Sequence, residues 1–286
     1  MRILLVGASG FVGGHLAPSL VEAGHDLVCA VRASSDYTPP AGAERIELEL
    51  DRPLDLGTLP SVDAVLHFAQ ANVRFPEGAR ELERVNTASV VELLEHARES
   101  GATRFVYASS ASVYGFGDEP FAEDAPLDGS DFYAATKIGA EKAIGAYEEL
   151  LTTAILRLVV PYGPGQAGRM IPALANRVAN GEPVTLNDGG RPRMNPLYID
   201  DVVRVVLDVL EFDSPIVLNV AGDEAVSIKE LTEMIGRVVA REPRFEDGSA
   251  VAPGDLVADT TRLHERFDLR PLVRLEEGLR RTLVAS

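Results

Sequence analysis

The sequence predicts a doubly wound α/β sheet, a Rossmann-type parallel sheet, with a small C-terminal lobe. Three observations carry this. A short apolar strand at 3–6 runs directly into a glycine-rich turn and then into a helix. Strand and helix patterns then alternate through the first 160 residues, as a parallel sheet covered on both faces requires. A later strand, at 104–108, ends in Ser109-Ser110 and is followed by a helix that carries Tyr133 and Lys137.

The first strand delivers Gly7-Ala-Ser-Gly10-Phe11-Val12-Gly13-Gly14, and a helix runs on to about residue 23. Glycines in such a turn let the backbone bend sharply and approach a pyrophosphate, and the helix N-terminus offers free N–H groups and positive dipole. Residues 27–31 read as the second strand. A carboxylate at its end would accept from an adenosine ribose, whereas an arginine suits a 2′-phosphate. Val31 stands at that position, followed by Arg32 and Ser34. Arg32 either pairs with a 2′-phosphate, which favours NADP(H) slightly over NAD(H), or stacks on adenine.

Alternation marks a third strand over 45–50, and 62–70 holds a fourth strand and its exit. A long helix is expected over 77–100, the fifth strand over 104–108, and the Tyr133 helix to about residue 150. A sixth strand and a turn fall at 154–164, helices at 168–181 and 202–211, and a strand at 216–220. Ser227 with Glu230 three residues on is a capping box that opens a further helix. Asp200 or Asp201 is expected to cap the helix before it.

Tyr133 and Lys137 are four apart on a helix and share one face. A free phenol titrates near ~10. A unit charge ~4 Å away in an effective dielectric of ~20 is worth about 4 kcal/mol, roughly three pKa units. That brings the phenol toward neutrality, where general acid–base catalysis is most efficient. Ser110, at a strand end, supplies a hydroxyl to hold the oxygen whose proton moves.

The chain has 286 residues, 27 basic and 44 acidic, for a net charge of −17. Such an acidic protein is a poor partner for nucleic acid or an anionic membrane. No apolar run is long enough to span a bilayer. The strand at the very start leaves no room for a signal peptide, so a cytoplasmic protein is expected. Cys29 is the single cysteine, most simply a small core residue, and no metal-ligand cluster is visible.

Taken together, the glycine turn, the serine-rich strand end and the Tyr-Ala-Ala-Thr-Lys segment resemble the extended short-chain dehydrogenase/reductase family, the NAD(P)-dependent sugar epimerases and dehydratases. The spacing Gly7-x-x-Gly10-x-x-Gly13 is similar to that family's version of the dinucleotide turn. The resemblance implies hydride transfer at a carbinol or keto carbon of a sugar, with Tyr133, Lys137 and Ser110 catalytic and Lys137 also holding the ribose. It implies cofactor contacts from Gly7, Gly10, Phe11, Val12, Gly13, Leu50, Asp51, Phe68, Ala69, Gln70, Asn86, Tyr133 and Lys137. It places Ser110, Ser112, Tyr133 and Arg193 toward substrate. It also implies a homodimer through the helices near 77–100 and 133–150, whose Val90, Leu94, Ile138 and Ile144 exceed what one sheet face needs.

Departures from the family pattern narrow the chemistry. Gln70 replaces a small residue after His67-Phe68-Ala69. Val160 stands where an asparagine contacts the nucleotide diphosphate. Met194 takes the place of a phosphate-binding arginine, leaving Arg191 and Arg193 as candidate anion ligands. Ala111 and Ser112 replace the acidic residues that a dehydratase or decarboxylase carries there. Epimerase and NADPH-dependent ketoreductase remain, with a dinucleotide-sensing protein without turnover as the non-enzyme alternative. Residues 1–160 and 196–222 are expected to form the dinucleotide domain. Residues 161–195 and 223–286 are expected to form the substrate lobe, whose tail, with 259–262 and Arg270-Pro271, resembles the family's final helices.

Overall fold

In a computed structural model of the chain, residues 1–71, 73–267 and 271–284 are described. Arg270 of the expected tail motif lies outside them. The central sheet has seven strands: β1 (Arg2–Val6), β2 (Asp26–Val31), β3 (Glu44–Glu47), β4 (Ala64–His67), β5 (Arg104–Ser110), β6 (Thr152–Leu158) and β7 (Ile216–Val220). Their spatial order is β3-β2-β1-β4-β5-β6-β7. The order reverses at β1, so the carboxyl ends of β1 and β4 flank the switch point where ligands bind in such sheets. Val6 is in register with Ala30 and His67, and His67 with Tyr107. The exits of β1, β4 and β5 therefore lie along one edge. Residues Ile3 to Val6 are all buried, as strands with both faces covered must be.

Helices α1 (Phe11–Glu22), α2 (Ala79–Glu83), α3 (Ser89–Ser100) and α4 (Phe132–Gly145) belong with this sheet. The expected helix over 77–100 is interrupted: a π turn spans Arg84–Ala88 and carries Asn86. Ser89 Oγ donates to Val85 O at 2.7 Å, a back-bond that competes with regular helix geometry. The Tyr133 helix stops at Gly145, short of residue 150, in a run of tight turns in which Tyr147 N–H bonds Ile144 O. Strand β3 is shorter than expected, although Leu48 N–H still reaches Val31 O.

One expectation fails outright. Val90, Leu94 and Ile144 are fully buried in the protomer's own core, beside Leu4, Val65 and Phe105. They are not surplus apolar surface, and only Ile138 of the four is partly exposed. Helices α3 and α4 pack on each other as well as on the sheet, which is why both need wide apolar faces.

The chain divides into two compact units. The first comprises Met1–Gly115, Pro126–Arg157 and Val203–Leu218, the second Phe116–Ala125, Leu158–Val202 and Asn219–Ser286. Helix α5 (Met170–Asn180) belongs to the second, α6 (Ile199–Val209) straddles the division, and α7 (Ile228–Val238), α8 (Thr261–Arg266) and α9 (Leu275–Leu283) follow. Ser227 forms the full capping box of α7 with Glu230. Asp200 and Asp201 lie inside the first turn of α6 instead of ahead of it. Asp201 is buried and accepts from Val273 N–H at 2.8 Å. Buried asparagines tie the second unit's loops together. Asn195 bonds Gly222 O and both backbone groups of Ala258, and Asn219 bonds Phe121 O and Asp259 O.

Val160 has φ +39°. A β-branched side chain in the left-handed region is a genuine outlier, and the following Pro161 restricts it further. Asparagine tolerates this region far better. Val160→Asn is expected to raise stability by about 1 kcal/mol, read as a higher urea midpoint with unchanged slope. A midpoint at or below that of the parent chain would show the strain to be absent.

Candidate active site

Gly7 turns the chain out of β1 at φ +91°. A Cβ there would lie 2.5 Å from Ala69 N, so the bare backbone is what lets 68–69 cross beneath the turn. A Cβ at Gly13 would lie 2.2 Å from Gly7 O, so the helix can start this close only without one. Gly10 N–H closes the turn onto Gly7 O at 2.9 Å. Helix α1 starts at Phe11 with Gly10 as an N-cap that has no side chain, and with no acidic residue in its first turn. Its first N–H groups and positive dipole are thus free of a competing carboxylate. Gly10 is exposed and Phe11 and Val12 are half-buried. This cradle fits a dinucleotide pyrophosphate.

At the exit of β2, Arg32 and Ser34 are exposed. Ala33 N–H between them donates to Glu49 Oε1 at 2.8 Å. Leu50 is buried in the core and Asp51 is exposed.

The exits of β4 and β5 meet α4, which carries Tyr133 and Lys137. Tyr133 Oη donates to Gln70 Oε1 at 2.8 Å. Phe132 beside it stacks on Phe75, with ring centroids 4.8 Å apart. Lys137 is fully buried, its Nζ donating to Ala108 O at 2.8 Å and lying 4.7 Å from the Tyr107 ring centroid. The ammonium is 5.9 Å from the Tyr133 ring centroid. The Ala108 carbonyl draws it down toward the sheet. Burial lowers the Lys137 pKa to about 7, against an opposing pull from Glu141. His67 is buried beside it, with Nε2 3.3 Å from Ser89 Oγ. Burial first, and Lys137 second, lower its pKa to about 3, so it stays neutral.

Ser110 caps the 3₁₀ turn Ala111–Tyr114, its Oγ accepting from Ser112 N–H at 3.2 Å. Ser110 is half-buried, and α4 packs on β5 and on this turn. Ser110, Tyr133 and Lys137 thus belong to one unit and one edge of the sheet. Ser112 does not open outward as expected: its Oγ is buried and has no partner among the described residues. Asn86 is also closed to a ligand. It is 1% exposed, its Oδ1 accepts from Ala71 N–H at 2.8 Å, and its Nδ2 donates to Thr136 Oγ1 at 3.2 Å. It braces the β4 exit against α4. In the second unit, Arg191 is spent on Asp255 in a bidentate pair with Asp118 nearby. Arg193 is exposed, and its guanidinium donates to Ala225 O at 3.0 Å.

Sequence reasoning missed a charged network under the site. Arg157 grips both oxygens of Glu141, at 3.1 and 2.7 Å, and donates to Tyr114 Oη at 2.8 Å. Ser109 Oγ donates to Glu141 Oε1 at 2.5 Å. The signal was present: Glu141 is one turn beyond Lys137, and Arg157 interrupts an apolar strand. A charge in a buried strand demands a partner.

A switch-point fold with a glycine cradle, a serine at the exit of β5 and a tyrosine and buried lysine on the adjoining helix defines a dinucleotide-dependent oxidoreductase class. The chain belongs to the NAD dependent epimerase/dehydratase family, whose model matches residues 3–221. It is accordingly an enzyme of that family. Among its relatives, a dTDP-4-dehydro-6-deoxy-D-allose reductase of Streptomyces bikiniensis is 28% identical over 98% of this chain and 94% of its own length. A probable UDP-glucuronate 4-epimerase of Rhizobium meliloti (strain 1021) is 26% identical over 98% and 95%. The solved structure of MoeE5 in complex with UDP-glucose and NAD has a TM-score of 0.86 at 28% identity, covering 99% of this chain and 97% of that one. Among the described residues, no helix is long and apolar enough to cross a membrane.

Proposed function

We propose that the chain transfers hydride at a carbinol or keto carbon of a nucleotide-linked sugar, working with NAD(P). The observation that carries this is the half-buried Tyr133 hydroxyl one helical turn from a fully buried Lys137, at the strand edge that holds Ser110. Tyr133 moves the proton of the reacting hydroxyl. Ser110 orients its oxygen. Lys137 fixes α4 to the exit of β5 and supplies the charge that makes a phenolate accessible. The bound dinucleotide supplies or accepts the hydride. The α1 cradle of Gly7, Gly10, Phe11, Val12 and Gly13 takes its pyrophosphate, with Arg32, Ser34, Leu50 and Asp51 at the adenosine end. Phe68, Ala69 and Gln70 line the nicotinamide end with Tyr133 and Lys137.

The first unit is the dinucleotide domain and the second the substrate lobe, with Arg193 its candidate anion ligand. Epimerisation at the reacting carbon fits the 4-epimerase relative. A second form, reduction of a keto-sugar, is favoured by Val160, whose apolar side chain makes no hydrogen bond to a nucleotide diphosphate, and by the reductase relative. Mass spectrometry of freshly purified, denatured protein separates the two. Retained NAD is expected of an epimerase, whose cofactor cycles in place, and empty protein that turns over NADPH of a reductase. Protein that neither retains a dinucleotide nor turns one over with any nucleotide-sugar would remove both.

Arg32 is proposed to pair with a 2′-phosphate. Arg32→Ala is then expected to weaken NADP(H) by about 1.5–3 kcal/mol and leave NAD(H) nearly unchanged in a titration of both. Equal losses would mean that Arg32 only stacks on adenine. A cytoplasmic homodimer is the expected assembly, with the exposed Val91 and the partly exposed Ile138 on α3 and α4 as its apolar contacts. Light scattering that finds only monomer at micromolar concentration would exclude the dimer.

A further inference from the structure

Glu141 is a buried carboxylate one helical turn beyond Lys137 on α4, so the two side chains share a face. Consecutive residues of β5 hold both. Lys137 Nζ donates to Ala108 O at 2.8 Å, and Ser109 Oγ donates to Glu141 Oε1. From β6, Arg157 takes both carboxylate oxygens and reaches Tyr114 Oη as well. Glu141 is therefore a paired and fixed anion, as a buried charge has to be.

Lys137 needs such an anion. Burial removes water from the amine and pushes it toward its neutral form. The groups it touches, the Ala108 carbonyl and the face of the Tyr107 ring, carry no net charge to offset that. Burial keeps Tyr107 of β5 and His67 of β4 neutral. The π turn brings the uncharged Asn86 and Arg84, which is paired with Glu92 of α3, and Glu95 of α3 is paired with Arg98. Arg80, Glu81 and Glu83 of α2 are exposed to solvent. On α4 itself, Tyr133 is the phenol that the ammonium is proposed to serve. Among the described residues, Glu141 is the anion that counters burial at Lys137. Arg157 pulls the other way, but the balance at the amine favours the carboxylate.

We infer that Glu141 is a positioning residue of the site, whose fixed carboxylate keeps the buried Lys137 an ammonium. The inference rests on the proposed role of Lys137, whose charge makes a Tyr133 phenolate accessible. A neutral amine at the same place would keep its bond to Ala108 O and lose that effect. Ser109 and Arg157 then serve the site by holding the carboxylate where it acts, and the ion pair is more than a strut between α4 and β6.

The test reads the charge on Lys137 directly, in the full chain without added dinucleotide. The lysines are Lys137, Lys142 and Lys229, and the last two are exposed. Lysine labelled with carbon-13 at Cε is titrated by NMR, and the signal missing from Lys137→Met identifies the buried amine. In Glu141→Gln, which keeps the shape and an acceptor for Ser109, the Lys137 midpoint is expected to fall by about one unit. From a starting value of about 7, that takes the charged fraction at pH 7 from about a half to about a tenth. Turnover at pH 7 is expected to drop several-fold with it. Glu141→Gln also leaves Arg157 without its anion, so the deciding variant is Glu141→Leu with Arg157→Met, which removes both charges and keeps a packed core. Its Lys137 midpoint is expected to fall as well, by about half a unit. A purely structural pair would leave that midpoint where it is, so a midpoint that stays or rises in the double variant overturns the role of Glu141. Full turnover in Lys137→Met overturns instead the role of Lys137 beneath it, whatever the titration shows.

Discussion

Tyr133→Phe is expected to leave dinucleotide binding nearly intact and to cut turnover by about two to four powers of ten, the usual contribution of a positioned acid–base group. The ring keeps its place, because the stack of Phe132 on Phe75 and the packing of α4 do not involve the hydroxyl. What disappears is the transferable proton and the bond to Gln70 Oε1. Steady-state turnover on the preferred sugar and a dinucleotide binding isotherm, run on the same preparation, separate the two effects. Wild-type turnover in this variant would move the proton-transfer role elsewhere, with Ser110 the next candidate. Lys137→Ala is different in kind. It removes a buried donor as well as a charge, so turnover and dinucleotide affinity should fall together.

Arg157→Met is expected to destabilise the fold by about 3–5 kcal/mol, the cost of leaving one member of a buried ion pair without its partner. Both side chains of the pair are 5% exposed. Glu141 would keep the Ser109 hydroxyl and the field of Lys137, and Tyr114 Oη would lose the Arg157 donor. Replacing both charges, as Glu141→Leu with Arg157→Met, should recover most of the loss, since a well-packed apolar pair avoids the desolvation penalty. Urea midpoints of the two variants and the parent decide it. A loss below about 1 kcal/mol in Arg157→Met would mean that water reaches the pair.

Much of this was legible in the chain itself. The glycine spacing at 7, 10 and 13 requires close backbone approach, and the structure shows what approaches: residues 68–69 and the carbonyl of Gly7. The parallel sheet follows from alternating strands and helices, because parallel strands need crossovers, whereas the order of its strands does not. What escaped were features set by tertiary contact. Val90, Leu94 and Ile144 read as surplus because a helix packed on both a sheet and another helix has a wider apolar face than sequence spacing alone assigns to one. Asn86 read as a ligand contact, yet both ends of its carboxamide bond the protein. The π turn around it has no local signature in the sequence. Nothing in a helical spacing of four reveals the carbonyl of Ala108, which comes from a strand 29 residues away and takes a hydrogen bond from the Lys137 ammonium.

The buried Lys137 has a thermodynamic side as well. An unfolded chain keeps this amine protonated up to about pH 10.4, whereas in the folded protein its pKa is lowered to about 7. Between those values the unfolded state binds more protons, so this one group makes folding more favourable as the solution turns alkaline. Below about pH 7 its penalty is fully present. An apolar residue of similar length, methionine for instance, would remove that penalty at every acidic pH. The side chain proposed to make the site chemically competent therefore loosens the scaffold that carries it, and a chain shaped for rigidity alone would have no lysine at 137.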